Sequence, residues 1–242
     1  MNQVLQQLSQ RKSVRVFTDR EISPADKDAI LNAAFMAPSA GCQQLYTILD
    51  ITDQTLKDCL AKSCDNQPFI AGAKLLLIFC ADIQKWYDAF RYAGCEPRAP
   101  QAGDFLLAVD DALIAAQNAV TAAESLGIGS CYIGDIMENY EYHRDLLHLP
   151  QYVFPAAMLV FGYPTEQQTL REKPPRAARE HMVHENGYRT MDARELEETF
   201  SAYAGQRDYA DWIRAFCQRK YNSDFSVEMS RSVSAFLRQF EA

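Results

Sequence analysis

The sequence is poor in the side chains that hold metals and in the charge that holds nucleic acid. Its four histidines are His143, His148, His181 and His184. The first two, at i and i+5, fall off a common helical face, and no carboxylates stand at ligand spacing around any of them. No metal site is therefore expected. The seven cysteines (Cys42, Cys59, Cys64, Cys80, Cys95, Cys131, Cys217) are odd in number and scattered, with no CxxC pair. That argues against a disulfide framework or a structural zinc and fits reduced thiols. A net charge of −8 removes the general electrostatic footprint of a nucleic-acid binder. No apolar run approaches the length of a bilayer span, and the polar start MNQVLQQLSQRKS has no signal-peptide core. The expectation is a cytoplasmic protein with small-molecule partners, no membrane and no nucleic acid. There is no internal repeat, no low-complexity tract and no catalytic triad.

What is present is enough apolar chain for a sizeable core, 48% of 242 residues. The organising stretch runs from Gly103 to Asp135. Leu106, Val109, Leu113, Ala116, Val120, Ala123 and Leu126 recur in steps of three and four, which predicts a long helix with one apolar face. Ala112, Ala115, Ala119 and Ala122 make the opposite face small, so the helix is expected to be central, buried and packed on several sides. Gly127 ends it. Ile128 to Gly134 then reads as a glycine-punctuated strand edge, where backbone can approach a ligand closely.

Upstream, residues 2–10 predict a short helix with Val4, Leu5 and Leu8 inward. Arg11-Lys12-Ser13-Val14-Arg15 follows, three cations and a hydroxyl in five residues: either donors lined up along an extended segment or a solvated basic patch. Ser23-Pro24-Ala25-Asp26 is an N-cap with a first-turn proline, opening a helix that stops before Pro38. Pro38 to Tyr46 is a loop of small and amide residues, fit either to wrap a heteroaromatic ring or simply to turn the chain into a strand over Thr47 to Ile51. A helix over Asp53 to Cys64, a loop at Asn66–Ile70 and the apolar run Ala73 to Ala81 come next. That run predicts a strand buried on both faces. Pro155 to Gly162 predicts another strand. From Thr165 the composition shifts to charge and tyrosine, with helices near Asp208 to Lys220 and Glu228 to Phe240. Residues 177–242 are accordingly expected to be an extension that wraps another surface.

In this order the segments resemble the FMN-dependent nitroreductase family, in its long NADPH-dependent nitroreductase and flavin reductase branch. The resemblance covers essentially the whole chain. It rests on Arg11 to Arg15, on Pro38-Ser39-Ala40-Gly41-Cys42-Gln43-Gln44, on Gly127-Ile128-Gly129 through Gly134, and on Gly162-Tyr163-Pro164 followed by Lys173-Pro174-Pro175-Arg176. It implies an α+β fold, a mostly antiparallel sheet flanked by helices, in an interlocked homodimer with two flavins at the interface. The core would span residues 1–176, with 177–242 embracing the partner.

Residue by residue, the resemblance implies that Arg11 and Ser13 contact the FMN phosphate and that Arg15 stands beside the N1/O2 edge, which becomes anionic on reduction. Lys12 contributes from the same segment. Lys173 and Arg176, or Arg179 in the latter's place, close over the phosphate. Ser39, Gly41 and Gln67 match positions around the ring and ribityl chain, and Ile133 and Gly134 match the backbone facing the ring near N5. Tyr46 and Phe69 would flank the acceptor, and Arg207 would meet the NADPH 2′-phosphate. Asp135 and Cys42 depart from the glycine and asparagine common at these places. The flavin performs the chemistry, so no catalytic side chain is named. The implied activity is hydride transfer from NADPH through flavin N5 to nitroaromatic, quinone or flavin acceptors. The alternatives are a flavin or quinone reductase with a non-nitro acceptor, and a non-catalytic flavin-binding redox sensor.

Overall fold

A computed structural model describes residues 1–241. Four strands, β1 (Tyr46–Asp50), β2 (Leu75–Asp82), β3 (Gly129–Ile133) and β4 (Val153–Gly162), form one sheet in the order β1-β2-β4-β3, antiparallel at every pairing. β2 and β4 are buried along their whole length because both sheet faces are covered. Alternation along β2 divides the core. Leu75, Leu77 and Phe79 face one hydrophobic cluster, and Leu76, Ile78 and Cys80 face another.

Helices α1 (Gln3–Gln10), α2 (Pro24–Phe35), α3 (Gln54–Ser63), α4 (Pro68–Ala71) and α5 (Gln84–Tyr92) precede the long α6 (Ala102–Ser125). α7 (Tyr140–Leu146) and α8 (Glu166–Leu170) follow. Ser23 caps α2 by accepting from the Asp26 amide, as its sequence predicts. Gly127, at φ +72°, ends α6 in the left-handed turn expected of it.

α6 is central, but its buried face is not the leucine face. Phe105, Ala108, Ala112, Ala115, Ala116, Ala119, Val120 and Ala123 are buried. Leu106 is 63% exposed, Leu107 47%, Leu113 39% and Ile114 41%. Alanines let the helix axis approach the sheet closely, so the small face takes the core and the large side chains turn outward. In α1 likewise, Val4, Leu5 and Leu8 are exposed in the single chain rather than turned inward. By length and composition α6 could cross a bilayer, although no run was expected to, yet 44% of its apolar window is buried inside the protein.

The chain forms two compact units, one of Met1–Arg171 with the chain from Glu228 onward, the other of Glu172–Val227. The second contains α9 (Arg179–Met182), α10 (Ala193–Ala204) and α11 (Tyr209–Lys220), with Trp212 stacked on Tyr203. α12 (Asp224–Leu237) carries the chain back into the first unit, where Phe236 packs against Phe105, Tyr140 and Phe154. The stretch read as one extension thus comes in two parts. α10 was not foreseen.

Candidate functional site

The segment Arg11 to Arg15 lies along the outer edge of β3. Ser13 bridges Ser130 in parallel, and the Val14 amide donates to the Ser130 carbonyl at 2.9 Å. Gly129 makes this approach possible, because a Cβ there would fall 2.6 Å from Val14 Cγ2. Gly162 does the same for Phe17, whose Cγ would lie 2.6 Å away. α8 fixes the segment from the other side. The Lys12 ammonium takes the carbonyls of Thr169, at 2.7 Å, and Arg171, while Arg171 donates to the Ser13 carbonyl. Lys12 is therefore a clasp on the C-terminal end of α8.

Arg15 differs from Lys12. Its guanidinium makes no ion pair among the described residues and stands 6.0 Å from the Phe69 ring. The Ser13 hydroxyl makes no hydrogen bond among the described residues. Gln67 donates its amide to the Cys64 carbonyl at 2.8 Å, which leaves its own side-chain oxygen to accept. Arg11 lies 6.0 Å from the Tyr132 ring, with Nε and Nη2 buried and unpartnered. The slot beside it, lined by Leu8, Gln117, Val120 and Glu124, is only about 10 Å³, room for no more than a water. Arg15, Ser13 and Gln67 thus offer a cation, a hydroxyl and an acceptor to an anionic heteroaromatic ligand, and FMN fits that set. Arg11 fits it less directly.

Ile133 ends β3, and Gly134 opens the short turn Gly134–Met137, exposed beneath Met137 and Met229. Behind this turn His143 is fully buried. Its Nδ1 lies 3.0 Å from the Ile136 carbonyl and its Nε2 2.8 Å from Ser63 Oγ, and burial lowers its pKa. Glu138 closes the turn. Burial above all, then the charges of Asp135, Asp65 and Glu228, push its pKa up to about 7. From the sequence, His143 is weighed only as a metal ligand and Glu138 does not stand out.

Ser39 to Gln44 forms the second half of the expected site. Gly41, Cys42 and Gln44 are all left-handed, at φ 56°, 57° and 49°. Asp111 on α6 accepts from the Ala40 and Leu45 amides, the Ser39 hydroxyl accepts from the Gln44 amide, and the Trp86 indole donates to the Gln43 carbonyl. Gly41 itself is exposed, so its backbone is open to a ligand. Tyr46 is only 4% exposed, its hydroxyl 3.4 Å from the Ala34 carbonyl, so its ring belongs to the core rather than to a surface an acceptor reaches. Beyond the loop, Trp86, Tyr87, Phe90 and Leu45 line a cavity of about 250 Å³.

One chain does not bring the two halves together. Tyr46 is level with Ala81 and Phe154, whereas Ser130 is level with Phe161 at the far edge. Four strand spacings across, the last from β3 to Ser13, and seven residues along put the loop on the order of 30 Å from Ser13. Lys173, Arg176 and Arg207 lie in the second unit. There Arg176 donates to the Pro174 and Pro175 carbonyls, both at 3.2 Å, and Arg207 caps α10 through the Ala204 carbonyl at 3.2 Å.

All seven cysteines are free. Burial pushes the Cys64 thiol up to about 12 and raises Cys80 as well, which makes both poor thiolates. No group of three or more potential ligands stands at metal-binding distance among the described residues.

The nitroreductase family model matches residues 8–163. An oxygen-insensitive NADPH nitroreductase of Salmonella typhimurium is 36% identical over 196 residues, 81% of this chain and 79% of that protein. An FMN reductase [NAD(P)H] of Bacillus subtilis is 30% identical over 98% of this chain and 91% of its own. Among solved structures, nitroreductase A from Vibrio parahaemolyticus superposes with a TM-score of 0.79 at 29% identity, over 89% of this chain and 90% of that one.

Proposed function

The chain belongs to the nitroreductase family, and on that premise we propose that it passes hydride from NADPH, through bound FMN, to a nitroaromatic, quinone or flavin acceptor in a ping-pong cycle. It is an NADPH-driven flavin oxidoreductase. When bound, FMN supplies the chemistry by accepting hydride at N5 and giving it up again. The chain's residues bind, orient and balance charge.

Arg15 carries the reading: a guanidinium with no ion pair among the described residues, fixed on β3's edge by the Val14–Ser130 bond and set beside Phe69. Placed at the N1/O2 edge, it favours the negative charge that reduction creates there. Ser13 and Arg11 hold the phosphate, with Lys173 and Arg176, or Arg179, closing over it. Gln67 accepts from the ring edge. Ile133 and Gly134 offer backbone to the ring near N5. Lys12 acts indirectly, by holding the segment to α8. Phe69 flanks the acceptor, and Arg207 meets the 2′-phosphate of NADPH.

Ser39 and Gly41 serve the flavin of a second copy. A homodimer places the loop of one chain against the Arg15 edge of the other, and the exposed Leu106, Leu107, Leu113 and Ile114 supply an apolar seam for it. Of the stretch 177–242, residues 177–227 wrap the partner while the chain from Glu228 onward packs on its own first unit, and the assembly works in the cytoplasm. The relatives' names differ in acceptor, nitro compound in one and FMN in another, so a flavin or quinone acceptor is the second reading.

Equilibrium dialysis against FMN tests the proposal. One FMN per chain, bound by a particle of twice the chain mass, is expected. A chain that takes up no FMN overturns it.

A further inference from the structure

The buried face of α6 carries one charged side chain. Asp111 is 2% exposed between Ala108, Ala112 and Ala115, where nothing on its own helix offsets its charge. Removing a carboxylate from water is costly unless donors replace the water. Both of its donors come from one loop. Oδ1 accepts from the Ala40 amide at 2.8 Å and Oδ2 from the Leu45 amide at 3.0 Å. Between these anchors the chain passes three left-handed residues, two of them not glycine. Such backbone persists only where its surroundings over-determine it.

We propose that Asp111 is a positioning residue for electron transfer: it staples both ends of the Ser39–Gln44 loop to α6 and so fixes the shape the loop presents to the flavin of the second copy. Asp111 touches neither flavin nor acceptor. It acts through Ser39 and Gly41, and the proposal rests on the reading that those two face the ring. A carboxylate suits the task where an amide does not. Two N–H donors need two acceptors, and an asparagine would set its own NH₂ against one of them. Sequence alone hides this role, because Asp111 follows Asp110 and an aspartate pair in an apolar helix reads as a solvent-facing position.

Asp111→Asn preserves shape and removes one staple. Cys42 is an exposed thiol inside the loop, whereas Cys95 and Cys217 are exposed elsewhere. Peptide-resolved alkylation with iodoacetamide therefore reads the loop separately from the rest of the molecule. Loss of one hydrogen bond predicts Cys42 reacting about fivefold faster, with Cys95 and Cys217 unchanged. In the FMN-loaded enzyme, turnover of a quinone at saturating NADPH should fall about tenfold to a hundredfold. A thermal midpoint that drops with no selective change at Cys42 makes Asp111 a packing residue only and overturns the proposal. So does a faster Cys42 with turnover intact. If D111N does not fold, amide exchange in the parent decides: Ala40 and Leu45 protected like the core of α6 supports the staple, and exchange as fast as Gly41 refutes it. Failure of the parent to bind FMN, visible in the same samples by absorbance, sinks the flavin reading instead, while the Cys42 comparison still reports on the staple.

Discussion

Replacing Glu138 by glutamine should stabilise the protein at alkaline pH and much less at acid pH. The carboxyl is 6% exposed, its Oε1 has no hydrogen-bond partner among the described residues, and it faces Asp135, Asp65 and Glu228. The nearby cation Arg231 is committed to Glu228 and Glu141. Burial and the three carboxylates raise its pKa from an ordinary 4.5 to about 7. The folded chain therefore binds this proton more tightly than the unfolded chain. The contribution is fully present below the unfolded value and is lost as pH rises to the folded one. The shift corresponds to at most about 3 kcal/mol, since one pKa unit is about 1.4 kcal/mol. Local relaxation makes roughly 1–3 kcal/mol the working figure.

Glutamine cannot ionise, so the variant escapes this loss while carrying a pH-independent cost for its own buried amide. The difference in stability between variant and parent should be flat below pH 4.5, rise across the interval to about 7, and level off above it. For a chain of this size each kcal/mol moves the thermal midpoint by roughly 2–4 °C. Differential scanning calorimetry of both proteins at several pH values between acid and alkaline limits gives that curve. A difference that does not change with pH would refute the buried acid.

Arg15→Ala in the FMN-loaded enzyme should slow flavin reduction by about tenfold or more in stopped flow, because a charge-stabilising contact is lost. Arg11→Ala should cost less, and equal losses fully restored by excess FMN would remove the distinction. Gly129→Ala places a methyl 2.6 Å from Val14 Cγ2, and Val14 is 5% exposed with no room to turn. The Arg11–Arg15 segment must shift, at roughly 1–3 kcal/mol, and FMN affinity measured by calorimetry should fall with it; unchanged affinity and midpoint would mean the segment gives way freely. Leu113→Asp puts a charge on the exposed apolar stripe and should yield monomers in sedimentation that bind FMN at least about tenfold more weakly. Dimers that persist would move the interface elsewhere.

The sheet was legible where burial leaves no ambiguity. The apolar runs over Ala73 to Ala81 and Pro155 to Gly162 are β2 and β4, each displaced by no more than two residues. The extent of α6 and its glycine stop were legible as well. Which of its faces enters the core was not, because both are apolar and periodicity does not rank alanine against leucine. Close approach does, and it favours the alanines. The cation-rich segment was visible as a cluster, but nothing in the spacing separates Lys12, whose ammonium is consumed by α8 carbonyls, from Arg15, which has no ion pair among the described residues. Asp111 and Glu138 were hidden for a common reason. A carboxylate's value depends on which backbone amides or charges surround it, and beside the local Asp135 those come from distant segments, Ala40 for Asp111 and Asp65 and Glu228 for Glu138.

Anaerobic titration of the FMN-loaded protein with NADPH, and separately with NADH, tests whether this chain moves hydride from NADPH to a bound flavin and on to a second substrate. Rapid bleaching of the flavin absorbance by NADPH, reversed by adding a quinone or nitroaromatic, is the predicted result. Bound FMN that neither nucleotide reduces would contradict it.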